Sequence, residues 1–285
     1  MDQKIIDLYD AYTHGGLDRR GFLDQLAQMA GGATAAAALL AVLQNDYAHA
    51  GIVPEDDPRL VSGTAGYDVA GASVSGYLVR LKGGGKRPSV LVVHENRGLN
   101  PHIKDVARRL GVEGFLVFAV DALSPLGGTP ADEDKAREMI GTLDRAQTLT
   151  RVAAAVPFLA SHPESNGKVG AVGFCWGGAL ANRLAAAGTS LAASVAYYGM
   201  PLPADEVPKI TAALLLHYAG LDERVNAGMG GYEAALKANG KRYEQYVYAG
   251  ANHAFNNDTN AARYDKEAAD LAWGRTIAFL KKTLS

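Results

Sequence analysis

A mostly apolar run, Lys168 to Val172, leads directly into Gly173-Phe174-Cys175-Trp176-Gly177-Gly178, and an Ala- and Leu-rich stretch, Ala179 to Ala187, follows. The run reads as a buried strand and the stretch after it as a helix. Glycines on both sides of Cys175 make the connection a sharp turn. The residue at its apex takes a strained backbone, and its neighbours pack too closely for a Cβ. A strand, a turn of the form G-x-S-x-G with Cys in place of Ser, and a helix together raise a nucleophile above the carboxyl end of a sheet. A Cys after a core strand is also readable as a buried packing residue, so the rest of the chain has to decide.

The chain has 285 residues, room for one large α/β domain. Its net charge of −2 gives no footprint for nucleic acid. There is one Cys, which excludes an intrachain disulfide and every CxxC zinc pattern. His94, Glu95 and His102 are close in sequence but form neither H-x-x-x-H nor H-E-x-x-H, so no metal site is expected. No Gly-rich phosphate loop with Lys is present either.

Residues 1–53 form an N-terminal extension that carries two readings. Asp18-Arg19-Arg20-Gly21-Phe22-Leu23 has the look of a twin-arginine export motif; an apolar stretch, Ala27 to Leu43, and an A-x-A site, Ala48-His49-Ala50, follow it. That stretch is short and Gly/Ala-rich for a membrane span, and no spanning segment is expected in the mature form. In the second reading the extension is helical: Ile5, Leu8, Tyr9 and Tyr12 share one face, and Phe22, Leu26, Met29 and Ala30 another. Location is then either cytoplasmic or periplasmic. A retained extension would pack on its own domain or on a second copy in a homodimer. Pro54-Glu55-Asp56-Asp57-Pro58 is a polar linker, and residues 54–285 form the main domain.

Two strands, Gly66 to Val69 and Ser73 to Leu81, open that domain, and Gly83-Gly84-Gly85-Lys86 reads as a hairpin-type turn into Ser89 to His94. Ser89–His94 and Phe115–Val120 are continuous apolar runs, as strands buried on both faces require. Helical stretches at Ile103–Leu110, Asp132–Ala160 (broken near Gly141), Asn226–Ala238 and Tyr264–Leu284 alternate with strands at Leu191–Tyr198, Thr211–Tyr218 and Arg242–Tyr248. The last helix is read with Leu271, Trp273, Ile277 and Leu280 on its apolar face. Alternation of this kind means βαβ units, a mostly parallel sheet and helices on both faces. Sites then form beyond the carboxyl ends of the strands. Glu95, Cys175, Asp222 and His253 each fall just after a strand.

Nucleophile, acid and His occur in that chain order. Cys175 would attack a carbonyl, His253 would accept and return the proton, and Asp222 would fix the imidazole tautomer. The backbone N–H groups of Trp176 and Asn96 are the expected oxyanion donors. Each side chain also has an ordinary reading: Asp222 as a turn residue, His253 as a backbone partner, and Glu95 as a surface charge paired with Arg97.

Val92-Val93-His94-Glu95, Val120-Asp121-Ala122-Leu123, Gly173-Phe174-Cys175-Trp176-Gly177-Gly178, Ala196-Tyr197-Tyr198-Gly199, Gly220-Leu221-Asp222 and Gly250-Ala251-Asn252-His253-Ala254-Phe255 together resemble the dienelactone hydrolase family, in family order, from about Leu60 onward. The resemblance implies an α/β-hydrolase fold and an ester or lactone hydrolase with a Cys-His-Asp triad and no cofactor. It also implies a carboxylate, here Glu95, held against the thiol until substrate displaces it. The arginine that follows the triad His in the family has no match before Arg263, and Arg137 matches a second one only loosely. Asn256 and Asn257 suit a neutral ester or lactone, and Tyr197, Tyr198 and Asn257 are candidate pocket residues. A binding protein with a degenerate site and a thioesterase or peptidase on the same scaffold are the competing readings.

Overall fold

The computed structural model describes residues 1–47 and 51–285. Ala48-His49-Ala50, the A-x-A tripeptide, lies outside the described residues. The chain begins with α1 (Gln3–Thr13), α2 (Arg19–Ala30) and α3 (Ala33–Leu43). Asp2 and Asp18 cap the first two by accepting from the N–H groups of Lys4 and Gly21, and Gly31, at φ 80°, ends the second. Asp18-Arg19-Arg20 is thus a helix start. The three helices share a small core of Tyr9, Tyr12, Phe22, Leu26 and Leu43, with the Tyr12 and Phe22 rings stacked at 4.6 Å. Among the described residues no single helix is long and apolar enough to cross a membrane, and α2 meets α3 at a 112° bend.

The main domain is an eight-stranded sheet in the order β1-β2-β4-β3-β5-β6-β7-β8. β1 (Leu60–Val69) and β2 (Ala72–Leu81) form an antiparallel hairpin. Its turn is Ala70-Gly71, both at positive φ (51° and 72°), as the twist of a two-residue hairpin demands. The triple glycine after β2 is not a hairpin turn, contrary to its sequence reading. β2 pairs antiparallel with β4 (Leu116–Val120), and β3 (Arg87–Val93) lies one place further in. Ser89 to Val93 is fully buried and needs cover on both faces; β2 alternates burial and suits a place nearer the edge. From β4 inward the sheet is parallel through β3, β5 (Ser165–Phe174), β6 (Leu191–Tyr197), β7 (Ala213–Ala219) and β8 (Tyr243–Tyr248).

Helices cover both faces. On one, α4 (Pro101–Val112) and the C-terminal helix Lys266–Leu284 pack on Val90, Val92, Val117 and Val195. The buried line of that last helix is Ala268, Ala272, Thr276 and Leu280, spaced by four. Leu271, assigned to this face from sequence, is 49% exposed. The stretch 132–160 divides into α5 (Glu133–Gly141), α6 (Arg145–Ala153) and α7 (Ala155–Ala160), because Asp144 caps a new start after Gly141. α7, α8 (Trp176–Ala185) and the later helix Met229–Ala238 fill the other face. Between them in the chain, the single turn α9 (Glu223–Asn226) follows β7.

Candidate active site

Between β5 and α8 stands Cys175, at φ 55° and ψ −113°. A non-glycine residue held there is strained, and the surroundings fix the strain in place. A Cβ on Gly177 would sit 2.4 Å from the carbonyl oxygens of both Val93 and His94, and one on Gly173 would sit 2.0 Å from the Gly177 oxygen. These are backbone atoms at the end of β3 and in the first turn of α8 and cannot yield, so only glycine permits this turn. Trp176 is the first residue of α8, and a helix's first turn has no internal acceptor for its N–H. Its ring stacks on His94 at 5.3 Å. His94 itself is buried with Nδ1 on the Glu95 carbonyl, and its Nε2 accepts from the Ala122 N–H at 3.2 Å. It buttresses the turn and does not face the sulfur's partners.

Asp222 and His253 meet beyond β7 and β8. One Asp222 oxygen accepts from the Val225 N–H and caps α9; the other receives His253 Nδ1 at 2.5 Å. With Nδ1 engaged, Nε2 is the free nitrogen of the ring, and it is buried without a hydrogen-bond partner. The sulfur of Cys175 and a ring nitrogen of His253 lie within 4.8 Å.

The sulfur's closest polar partner comes from the extension. His14, the C-cap of α1, places Nε2 3.2 Å from Cys175 Sγ. Its Nδ1 faces Asp10, 2.9 Å from that residue's carbonyl oxygen and 3.2 Å from its carboxylate. The Asp10 carboxylate lies 3.7 Å from Arg224 and 3.8 Å from Arg263. Around this, the body holds the extension by polar contacts. Asn96 donates to the Thr13 carbonyl, Arg137 to the Tyr12 carbonyl, Arg97 to the Tyr9 hydroxyl, and Tyr12 donates to Asp134. Apart from Ala262, the extension's core draws on its own side chains. The extension is therefore a cap over Cys175, which is only 8% exposed.

His14 and Asp10 were missed in the sequence. They are spaced i, i+4 and so share a helix face, but only the apolar face of that helix was read. Other residues stand where sequence did not put them. Glu95 is buried; its carboxylate accepts from the Tyr198 hydroxyl at 3.3 Å and from Asn257 Nδ2 at 2.9 Å. Among the described residues it is His14 that bonds the sulfur. Arg97 pairs with Glu133 and not with Glu95. Tyr198, at φ 39°, turns its ring to His253 at 4.9 Å. Tyr197 points into the core: it is fully buried, stacked on Phe174, with its hydroxyl 2.7 Å from Thr276. Its placement is that of a packing residue.

Charge follows from these contacts. Burial alone would raise the Cys175 thiol, but His253 and then His14 favour the thiolate and bring it down from 9.0 to about 6. Burial works equally against a charged His253, yet the thiolate, Asp10 and Asp222 raise it to about 10. His14 is raised as well: burial lowers it, and the thiolate and Asp10 together outweigh that. Asp222 is lowered by His253 against its own desolvation. The arrangement is a thiolate between two imidazoles, each backed by a carboxylate.

A strained Cys at the carboxyl edge of a mostly parallel sheet, with His and Asp delivered by later strands, is the arrangement of an α/β-hydrolase fold. A family model of the dienelactone hydrolase family matches residues 74–284, and a YqhI-like model matches residues 1–32. A Bradyrhizobium protein named as a 2-oxo-3-(5-oxofuran-2-ylidene)propanoate lactonase is 33% identical over 74% of this chain and 90% of its own. A provisionally named hydrolase fragment, YghX, of Escherichia coli is 46% identical over 38% of this chain and 96% of its own. The crystal structure of a provisionally named dienelactone hydrolase from Klebsiella pneumoniae superposes with a TM-score of 0.70 at 28% identity, over 78% of this chain and 98% of that one. The chain belongs to the dienelactone hydrolase family and is a hydrolase of the ester and lactone type.

Proposed function

We propose that the protein cleaves a small ester or lactone through an acyl-enzyme on Cys175. The observation that carries this reading is the Asp222–His253 pair beside a strained Cys175, whose thiol the two imidazoles bring down to about 6. The thiolate attacks the carbonyl carbon. The N–H groups of Trp176 and Asn96 receive the oxyanion, an interaction worth roughly 3 kcal/mol per donor in comparable sites. The C–O bond breaks, and His253 gives its proton to the leaving oxygen, which in a lactone stays on the acyl chain. Water, losing a proton to His253, then cleaves the thioester. Glu95 is held by the Tyr198 hydroxyl and by Asn257. Lactones are the favoured class, from the name of the Bradyrhizobium relative. Substrate reaches the sulfur only when the cap gives way at Thr13 and His14. Rapid quenching with a nitrophenyl ester, followed by intact-mass measurement, is expected to show one acyl group per chain, absent in Cys175→Ala. Turnover by Cys175→Ala at the wild-type rate would remove the assignment.

A further inference from the structure

Cys175, His14 and His253 present three metal-ligand atoms within 4.8 Å of one another, from three separate parts of the chain. We infer that this cluster is a zinc site, closed by docking of the N-terminal cap. The donor set is a thiolate and two imidazoles, which zinc favours and magnesium or calcium does not. At Zn–S near 2.3 Å and Zn–N near 2.05 Å, a tetrahedral ion holds sulfur and nitrogen about 3.6 Å apart and two nitrogens about 3.3 Å apart. The observed 3.2 Å between His14 Nε2 and Sγ would open by about 0.4 Å on binding, and the His253 separations, which lie within 4.8 Å, would close by up to about 1.2–1.5 Å, a shift of the His253 ring toward the ion.

Two further features point to a ligand. His253 Nε2 is buried and without a hydrogen-bond partner. Both imidazoles also carry the outer contact that metal-bound histidines use. His253 gives its Nδ1–H to the Asp222 carboxylate and His14 gives its own to the Asp10 carbonyl, which leaves both Nε2 atoms facing inward, each able to bind once its proton is released. Uptake of the ion releases the thiol proton, or the imidazolium protons that balance a thiolate, and forms one Zn–S and two Zn–N bonds. Three protein ligands leave a fourth position for water. Zinc so held occupies the nucleophile and the base together, and hydrolysis stops until a chelator removes it. The binding claim itself stands on the donor geometry and is independent of the hydrolytic reading.

Cobalt(II), a spectroscopic probe for zinc, tests the site in the tag-free full-length protein. Titration is expected to reach one ion per chain and to develop thiolate-to-cobalt charge-transfer absorption with tetrahedral visible bands, all displaced by one equivalent of zinc. Cys175→Ser should lose the charge-transfer band, and His14→Gln should weaken binding at least tenfold. Asp10→Asn retains all three donors and should also weaken binding, which reads the same geometry should His14→Gln disturb the cap. Absence of the charge-transfer band from wild type, or wild-type affinity in both His14→Gln and Asp10→Asn, would overturn the site. Neither result depends on turnover, so the esterase reading stands or falls separately.

Discussion

Removing His14 should make Cys175 a weaker acid, and the size of the effect follows from the contacts. The thiol is brought from 9.0 to about 6 against the full cost of its burial. Three units correspond to about 4 kcal/mol of net preference for the thiolate. Two imidazoles supply it, His253 first and His14 second. At 3.2 Å, an attraction of roughly 5 kcal/mol at an effective dielectric near 20 is available to the His14 pair. His253 remains in the variant, so His14→Gln is expected to lift the thiol by at least about one unit, which leaves about half as much thiolate at pH 7 and about tenfold less well below pH 6. The assay is the pH dependence of iodoacetamide alkylation of this chain's one Cys. Its plateau responds to how well the cap admits reagent, whereas its inflection reports the ionisation. Wild type should inflect near 6 and His14→Gln clearly higher, with the acid limb of ester hydrolysis moving alongside. A folded His14→Gln protein with the wild-type inflection would show that His14 does not act on the sulfur's charge.

Asp10 is held well below the usual carboxylate range; burial opposes this, and His253, His14 and Arg263 outweigh it. A depressed folded value means that its contribution is present above about 3.8 and is lost as pH falls towards the folded value. Asp10→Asn should therefore cost roughly 2–3 kcal/mol in thermal unfolding at pH 7, since it strips the partner from the buried Arg263. The gap from wild type should narrow in acid, and a gap that is constant down to pH 2 would contradict the ion-pair account. Tyr197→Phe removes the hydroxyl bonded to Thr276, which also faces His217 at 3.0 Å. About 1 kcal/mol of stability should go while hydrolysis stays unchanged; a raised KM with unchanged stability would instead place Tyr197 at the substrate.

How far the sequence could be read depended on how local the cause was. Ser89–Val93 and Phe115–Val120 were legible because a strand covered on both faces has no polar residue to interrupt it. The turn around Cys175 was legible because its glycines are required within six residues of one another. Gly83-Gly84-Gly85 shows the limit: glycines permit a turn but do not say which strands pair, and burial demand moved β3 inside β4. Tyr197 and Tyr198 show another. Alternation along β6 sends Tyr197 to the face covered by the C-terminal helix, and the positive φ of Tyr198 swings the next ring to His253, a backbone feature that residue type does not announce. His14 was illegible for a third reason, since its partner is 161 positions away and no spacing rule reaches that far.

Charges alternate along one line through the site: Asp222, His253, Cys175, His14, Asp10, and then Arg224 and Arg263. That alternation ties the cap to the nucleophile. Docking the cap inserts His14 beside the sulfur and favours the thiolate; by reciprocity, a thiolate favours the docked cap by the same free energy. Lifting the cap to admit substrate therefore withdraws one of the two cations from the sulfur. The open enzyme keeps only His253 as its counter-charge, which leaves the thiolate fewer cations but a more basic and so more nucleophilic sulfur. On the proposed acyl-enzyme route, acylation would consume the thiolate and with it the reason for His14 to return, so the cap would stay loose until water restored Cys175. On that route, cap position and acylation state would be one coupled equilibrium, carried by the His14–Cys175 contact.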